Sequence, residues 1–414
     1  MKFNTIIIGG GLSGLTCGIK LAKAGEKVAV VANGQSSLHF ASGSFDLMGY
    51  TPDGNIVNNP LEAIATLGEN HPYAKVGAAN VEALAAEAQE LLAQAGINTC
   101  GKAGANHNRL TPLGAVKPTW LSQEDYLTID GDKLQWNKVA LMNIIGYLDF
   151  PTKFIAEGLR KLGADVEIKP ITLPELNQAR KSPTEMRATN IAKVLSNAEI
   201  VKRLAAEINA KAGNAEVVLL PAVLGIKNGE LAQLLKQQVS KPVHFVATIP
   251  PSVPGTRAQA LLRKQFEAAG GTFLTGDKVV AGEISGDTVK CVCTEKLEGT
   301  KLEADNFVVA SGSFMGRGLV SDYEKVFEPI FGLDVDYIAD RAQWTVDDAL
   351  EAQPYMEFGV KTNANLQVSK DGTTLANTYA VGAILSGNNR VKLANGEGVD
   401  MLTALAVAKN ILKK

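Results

Sequence analysis

The chain has 414 residues, 46% of them hydrophobic and 20% charged, with a formal net charge of −2. Such a composition suits an ordinary globular enzyme with two or more cores, and nothing in its charge balance points to nucleic acid as a partner. The N-terminus enters a strand pattern directly, with no basic n-region or apolar h-region, so no signal peptide is expected. No apolar run approaches the ~18 residues that a membrane span needs.

Phe3-Asn4-Thr5-Ile6-Ile7-Ile8 reads as a buried parallel strand. Gly9, Gly11 and Gly14 then spell G-x-G-x-x-G, and Leu12, Leu15, Ile19 and Leu21 mark a helix that ends before Gly25. Gly9 permits the sharp turn, Gly11 leaves room for a phosphate against the main chain, and Gly14 lets the helix pack on the strand. Free N–H groups and the positive helix end then hold an anion. Lys27-Val28-Ala29-Val30-Val31 forms the second strand. The dinucleotide fingerprint continues with an Asp or Glu that grips the adenosine ribose, whereas this chain has Ala32 and Asn33. A phosphate cradle is predicted without an ADP-ribose anchor.

Residues 35–49 form a Ser/Gly-rich loop that contains Ser42, Gly43 and Ser44. Residues 81–95 read as an amphipathic helix with Leu84, Ala88, Leu91 and Leu92 on one side. Residues 106–243 look like an insertion with a βα unit of its own: a strand over 138–146, a helix over 152–162 and a strand from 165. Two helical pieces follow between 191 and 212, then a strand over 215–220. From His244 the pattern returns to the first domain. A stiff Pro-rich loop, 249–255, leads to a helix that Thr256 can cap and that Gly270-Gly271 stops. Short strands follow, one beginning at Val279, and then a buried strand that closes on Val309-Ala310-Ser311-Gly312. Tyr379-Ala380-Val381-Gly382 is another strand that ends in glycine, and 401–412 is the closing helix. The four cysteines, Cys17, Cys100, Cys291 and Cys293, read as packing residues and offer no set for an iron–sulfur cluster.

Three separated signals in this order, the N-terminal glycine turn, Val309-Ala310-Ser311-Gly312 and the late Ala380-Val381-Gly382 strand, resemble the two-dinucleotide-type flavoproteins. More specific collinear stretches resemble the family of anaerobic glycerol-3-phosphate dehydrogenase B subunits. They are Gly34-Gln35-Ser36, Leu38-His39-Phe40, Ser42-Gly43-Ser44, Thr111-Pro112-Leu113-Gly114, Thr119-Trp120-Leu121-Ser122, Pro250-Pro251-Ser252-Val253-Pro254-Gly255, Ala310-Ser311-Gly312-Ser313-Phe314 and Gly332-Leu333-Asp334-Val335. The chain departs from the family before the closing helix: relatives have a glycine run, and this chain has Asn388-Asn389-Arg390-Val391-Lys392-Leu393-Ala394-Asn395 and then only Gly396 and Gly398.

The resemblance implies an α/β fold, a Rossmann-like split flavin-binding domain with an inserted α/β cap or substrate domain. The expected boundaries are 1–105, 244–320 and 373–414 for the flavin domain, 106–243 for the cap and 321–372 for a connecting segment. FMN is the expected cofactor, with FAD as the alternative; FMN needs a phosphate cradle but no ribose carboxylate. Gly9, Gly11, Gly14, Ser42, Gly43, Ser44, Val279, Ser311, Gly312, Gly382, Gly396 and Gly398 are the expected cofactor contacts. The implied partners are a larger FAD-containing catalytic subunit and an iron–sulfur subunit that anchors the complex to the inner face of the cell membrane and passes electrons to quinone. The implied reaction is oxidation of sn-glycerol 3-phosphate to dihydroxyacetone phosphate during anaerobic growth.

Alcohol oxidation by a flavin needs a base for the hydroxyl proton and cations for the substrate phosphate. His39, next to the Ser42–Ser44 loop, is the candidate base, and Arg257 and Arg317 are the candidate cations; Arg109 and Arg187 stand behind them. No concentrated Arg/Lys cluster is visible along the sequence, which favours an electron-relay subunit over a substrate-binding one. A stand-alone flavin oxidoreductase of another small substrate is the remaining alternative.

Overall fold

The opening strand, Lys2–Ile8, lies inside an eight-stranded sheet. A computed structural model describes residues 1–182 and 184–413 of the chain. On one side the opening strand pairs in parallel with Val28–Ala32, which pairs in parallel with Thr272–Thr275. On the other side it pairs in parallel with Leu302–Val309, which then forks. Its first residues pair antiparallel with Thr288–Thr294, one arm of a hairpin with Val279–Ser285, and its last residues pair in parallel with Thr373–Ala380. Ile6, Ile7, Val28, Ala29 and Val30 are fully buried, as an apolar run covered on both faces requires. The helices Leu12–Lys23, Val253–Ala268 and Gly396–Leu412 pack together against this sheet.

The insertion has its own core. Four parallel strands run in the order Val243–Val246, Val217–Pro221, Lys138–Ile144 and Asp165–Ile171. Helices Thr152–Lys161, Ala188–Val194 and Ala198–Ala212 accompany them, close to the predicted pieces, together with a helix Glu230–Gln238 that the sequence reading did not include. An antiparallel ribbon of Val116–Thr119, His107–Leu110 and Thr128–Ile129 completes the insertion.

The expected boundaries shift at two places. Val243–Val246 pairs with Val217–Pro221, so a division at residue 244 would cut a strand of the inserted sheet. Buried Val243, Phe245 and Val246 belong to the inserted core, and the chain returns to the large sheet only within the helix Val253–Ala268. The segment 321–372 is more than a connection: Val326, Phe331, Leu333, Trp344, Phe358 and Val360 are buried in the core of the large sheet.

Two helix starts also differ from the sequence reading. Ser252, rather than Thr256, caps Val253–Ala268; its hydroxyl accepts from the Gly255 N–H at 3.0 Å, and Pro254 sits in the first turn, where its missing N–H costs nothing. The closing helix begins at Gly396, five residues before the expected Met401.

Candidate cofactor site

Gly11 is the N-cap of Leu12–Lys23 and provides no side-chain cap. The first-turn N–H groups of that helix therefore lack intrahelical acceptors and, with the helix dipole, favour an anion. The three glycines of the turn serve different purposes. Gly9 has φ +122, and a Cβ there would collide with the Ala310 carbonyl; one at Gly14 would collide with the Gly9 carbonyl. Both positions are set by backbone contact. A Cβ at Gly11 would meet only the Ser36 side chain at 3.6 Å, so the space before this residue is open. Beside the turn, the Ser311 hydroxyl is buried with no hydrogen-bond partner among the described residues. An open cradle at a helix N-terminus and an orphaned hydroxyl fit a ligand that carries a phosphate and polar groups.

The Ser42–Ser44 loop is gripped from the inserted domain. Tyr126 Oη donates to the Ser42 carbonyl at 2.7 Å, and Gln123 Nε2 donates to the Gly43 carbonyl at 3.2 Å. Phe45 and Leu121 exchange backbone hydrogen bonds at 2.7 and 2.9 Å. Gly43 has φ +87 and touches Pro254 and Tyr126, so its lack of a side chain is required there. Gln123 and Tyr126 carry no sequence signal of their own; only the adjoining Thr119–Ser122 stretch does.

At the closing helix the expected contacts Gly396 and Gly398 lie in a tightly packed first turn: a Cβ on Gly396 would meet the Arg390 guanidinium, and one on Gly398 would meet Tyr73 and Leu47. The first turn of this helix is packed by side chains, and its glycines admit them. Gly382 (φ +75) likewise admits Ser13 and Asp400. Arg390 pairs with Asp400 at 3.0 Å, and Asp46 takes Lys117 as an ion-pair partner, with Arg109 4.0 Å away. Glu397 joins the cluster: burial and the nearby Asp46 push its carboxyl above the usual range, against the pull of Arg390 and Lys117. The loop before the helix is fixed by a buried amide–imidazole set. His71 Nδ1 accepts from the Tyr73 N–H at 3.1 Å, so Nε2 carries the proton and donates to Asn388 Oδ1 at 3.0 Å. Asn395 Nδ2 donates to the same oxygen at 2.8 Å.

Of the three candidate reaction residues, His39 packs on Thr256, the chain neighbour of Arg257, and Arg317 lines a cavity that neither of them lines. Arg257 is 7% exposed and donates to the carbonyls of Leu224 and Gly225 at 3.1 and 2.7 Å and to Gln123 Oε1. Three of its five N–H donors are engaged by the protein, so it positions Gln123 and the 222–225 loop. His39 is half-buried against Thr256, 3.4 Å from Nδ1, and burial lowers its pKa. Arg317 is exposed and lines a cavity of about 510 Å³ with Lys278, Phe314 and Leu319. Val279 is buried at the start of the outer strand, next to Lys278.

Comparison with known proteins agrees with this arrangement. The FAD binding domain family matches residues 4–399, from the opening strand to the first turn of the closing helix. The B subunit of anaerobic glycerol-3-phosphate dehydrogenase from Yersinia enterocolitica is 41% identical over 418 aligned residues, covering 100% of this chain and 98% of that protein. The chain belongs to the family of anaerobic glycerol-3-phosphate dehydrogenase B subunits. The Pectobacterium carotovorum member is 38% identical, over 100% of this chain and 99% of its own length. Among solved structures, glycine oxidase from Geobacillus kaustophilus aligns over 100% of this chain and 95% of its own at 12% identity and a TM-score of 0.36, too distant to bear on residue roles.

As a member of this family the chain is a flavin-dependent oxidoreductase component. The open glycine turn and the unpartnered Ser311 hydroxyl are where a flavin would fit, and a flavin supplies reversible two-electron chemistry when bound. The Gly9–Gly14 turn touches Ala310 and Ser311, and the first helix touches Gly382, so three of the expected segments adjoin one another at the carboxyl ends of the parallel strands.

Proposed function

We propose that this chain is the electron-relay flavin subunit of a membrane-associated complex that oxidises sn-glycerol 3-phosphate to dihydroxyacetone phosphate with quinone as acceptor. The observation that carries the relay role is the pairing of four cations with carboxylates of the protein. Lys117 and Arg109 face Asp46, Arg390 faces Asp400, and Arg187 faces Asp149 at 3.0 Å, so none of these four stands ready for a substrate phosphate. A larger FAD-containing subunit would then hold the substrate, and an iron–sulfur subunit would anchor the complex at the inner membrane face. Among the described residues no helix is long and apolar enough to cross a membrane, which is consistent with attachment through a partner.

FMN is the proposed cofactor. Its support is the end of the second strand, where buried Ala32 and exposed Asn33 provide no carboxylate for a ribose. FAD is the second reading, favoured by the domain match and by the cavity beside Lys278 and Arg317, which has room for an adenosine and cations for a second phosphate. Heat release of the cofactor and its mass distinguish the two.

Co-purification tests the relay. The chain isolated alone should carry flavin that glycerol 3-phosphate does not bleach, and turnover should return with the partner subunits. Bleaching of the isolated chain by substrate would make it the substrate site. Steady turnover of another small substrate without partners would make it a stand-alone oxidoreductase.

A further inference from the structure

One contact of the Ser42–Ser44 loop leads outward to a titratable group. Ser44 Oγ lies 3.5 Å from Ser122 Oγ, which lies 2.8 Å from His107 Nε2. Ser44 is 3% exposed and Ser122 0%, whereas His107 is half-buried at the start of the ribbon strand His107–Leu110. Two hydroxyls removed from water thus end on an imidazole that reaches it. A hydroxyl donates one hydrogen bond and accepts others, so a row of them passes a proton with only hydroxyl rotation. The long Ser44–Ser122 step is typical of such rows before a ligand tightens them. His39 has no equivalent: among the described residues no hydrogen bond joins its ring to Ser42, Gly43 or Ser44.

We propose that His107 is the proton-exchanging group of the cofactor cleft, joined to Ser44 of the cofactor loop through Ser122. The proposal rests on the reading of this chain as a flavin subunit and on the sequence expectation that Ser44 contacts the flavin. An electron pair delivered to a bound flavin adds negative charge that an incoming proton compensates. Imidazolium Nε2–H gives its proton to Ser122, Ser122 gives its own to Ser44, and Ser44 gives its own into the cleft. Both hydroxyls end as they began, His107 is left neutral, and water reprotonates it. When the electron pair leaves for the next carrier, the same proton returns by the reverse steps. No electron travels along the row.

The surroundings of His107 suit exchange in both directions. Burial lowers its pKa, Arg109 on its own strand adds to that, and Asp130 and Asp46 oppose it. Lys117 on the paired strand is held by Asp46, and Cys100 Sγ donates to the Ser122 carbonyl at 3.5 Å.

The test uses the flavin-loaded protein mixed rapidly with reduced methyl viologen, which gives up electrons without releasing protons, with flavin absorbance and a pH-indicator dye that the viologen does not reduce followed together. In the unmodified protein proton uptake keeps pace with reduction, and its rate breaks with pH where the His107 imidazole resonance titrates. Ser122→Ala should slow uptake roughly ten-fold or more while flavin content, spectrum and midpoint potential stay unchanged. His107→Gln should slow it similarly, with added imidazole restoring it. In the same Ser122→Ala protein the His107 resonance should change its titration midpoint and that of His39 should not. Uptake at the unmodified rate in both variants, or a His107 titration indifferent to Ser122→Ala, overturns the relay while leaving the flavin reading intact. Absence of flavin from the unmodified protein overturns both.

Discussion

Gly398 donates its backbone N–H to the Asp46 carbonyl at 3.0 Å, so the closing helix begins against the loop that follows the second strand. The Asp46 side chain meanwhile takes Lys117 from the inserted domain. One residue therefore joins the Ser/Gly loop, the closing helix and the insertion, three segments far apart in the chain.

Replacing only its charge separates these functions. Asp46→Asn keeps the backbone bond but leaves Lys117 and Arg109 without their carboxylate. Losing one partner of a mostly buried pair costs about 3 kcal/mol, so denaturant unfolding should show a loss of that order. A double variant that adds Lys117→Met should recover part of it, because the uncompensated ammonium is then gone.

The glycine turn offers a sharper contrast. Gly9→Ala forces a Cβ into the Ala310 carbonyl at φ +122, and the fold must shift. Melting temperature should drop steeply and flavin should be lost with it. Gly11→Ala meets only Ser36 at 3.6 Å, so its melting temperature should stay within about 2 °C while flavin content falls. Flavin retained at full occupancy in folded Gly11→Ala would refute the cradle.

The glycine turn is legible in the sequence because all its parts lie within one short window: an apolar strand, three glycines and a helical period. The charge cluster has no such signal. Asp46, the Arg109–Lys117 hairpin and the Arg390–Asp400 stretch lie far apart in the chain, each with ordinary charges in its own window, and only the fold brings them together. Gln123 and Tyr126 are equally silent, because a donor that serves a distant carbonyl leaves no local pattern.

Glycine misleads at the closing helix. Gly396 and Gly398 lower helix propensity and read as a loop, yet they form the first turn, where Arg390, Tyr73 and Leu47 need their space. The strand Val243–Val246 escapes a pattern reading for the opposite reason: its four residues include His244 and lie directly before a Pro-rich stretch.

Arg257 and Arg317 exchange the roles that sequence alone would give them equally. Arg257→Gln leaves the Leu224 and Gly225 carbonyls without donors in a buried place, a loss of about 3 kcal/mol. Thermal unfolding should show it, with loosened docking of the insertion. Arg317→Gln, at an exposed site, should change stability by no more than about 0.5 kcal/mol. A phosphate-binding Arg257 would behave differently, weakening substrate affinity at unchanged stability.

His71 should make the protein sensitive to mild acid. Its neutral ring accepts from Tyr73 and donates to Asn388, and burial pushes its pKa down to about 4 from the ordinary 6.5, with Asn388 opposing and Lys75 reinforcing. The unfolded chain therefore binds a proton at a higher pH than the folded one. The stabilising contribution is complete above pH 6.5 and is lost as pH falls through the window down to about 4. For a group this buried the loss is about 3 kcal/mol. Glu397, held above the carboxylate range, acts with the opposite sign, so His71 is isolated by difference against a variant. His71→Ala removes the ring and should be less stable than the unmodified protein at pH 7.5. Its stability should then fall less between pH 6.5 and pH 4.5, so the two unfolding curves converge as the buffer is acidified. Parallel curves over that range would mean that His71 is already charged in the folded protein, and the Asn388–Asn395 anchor would then need a different hydrogen-bond pattern.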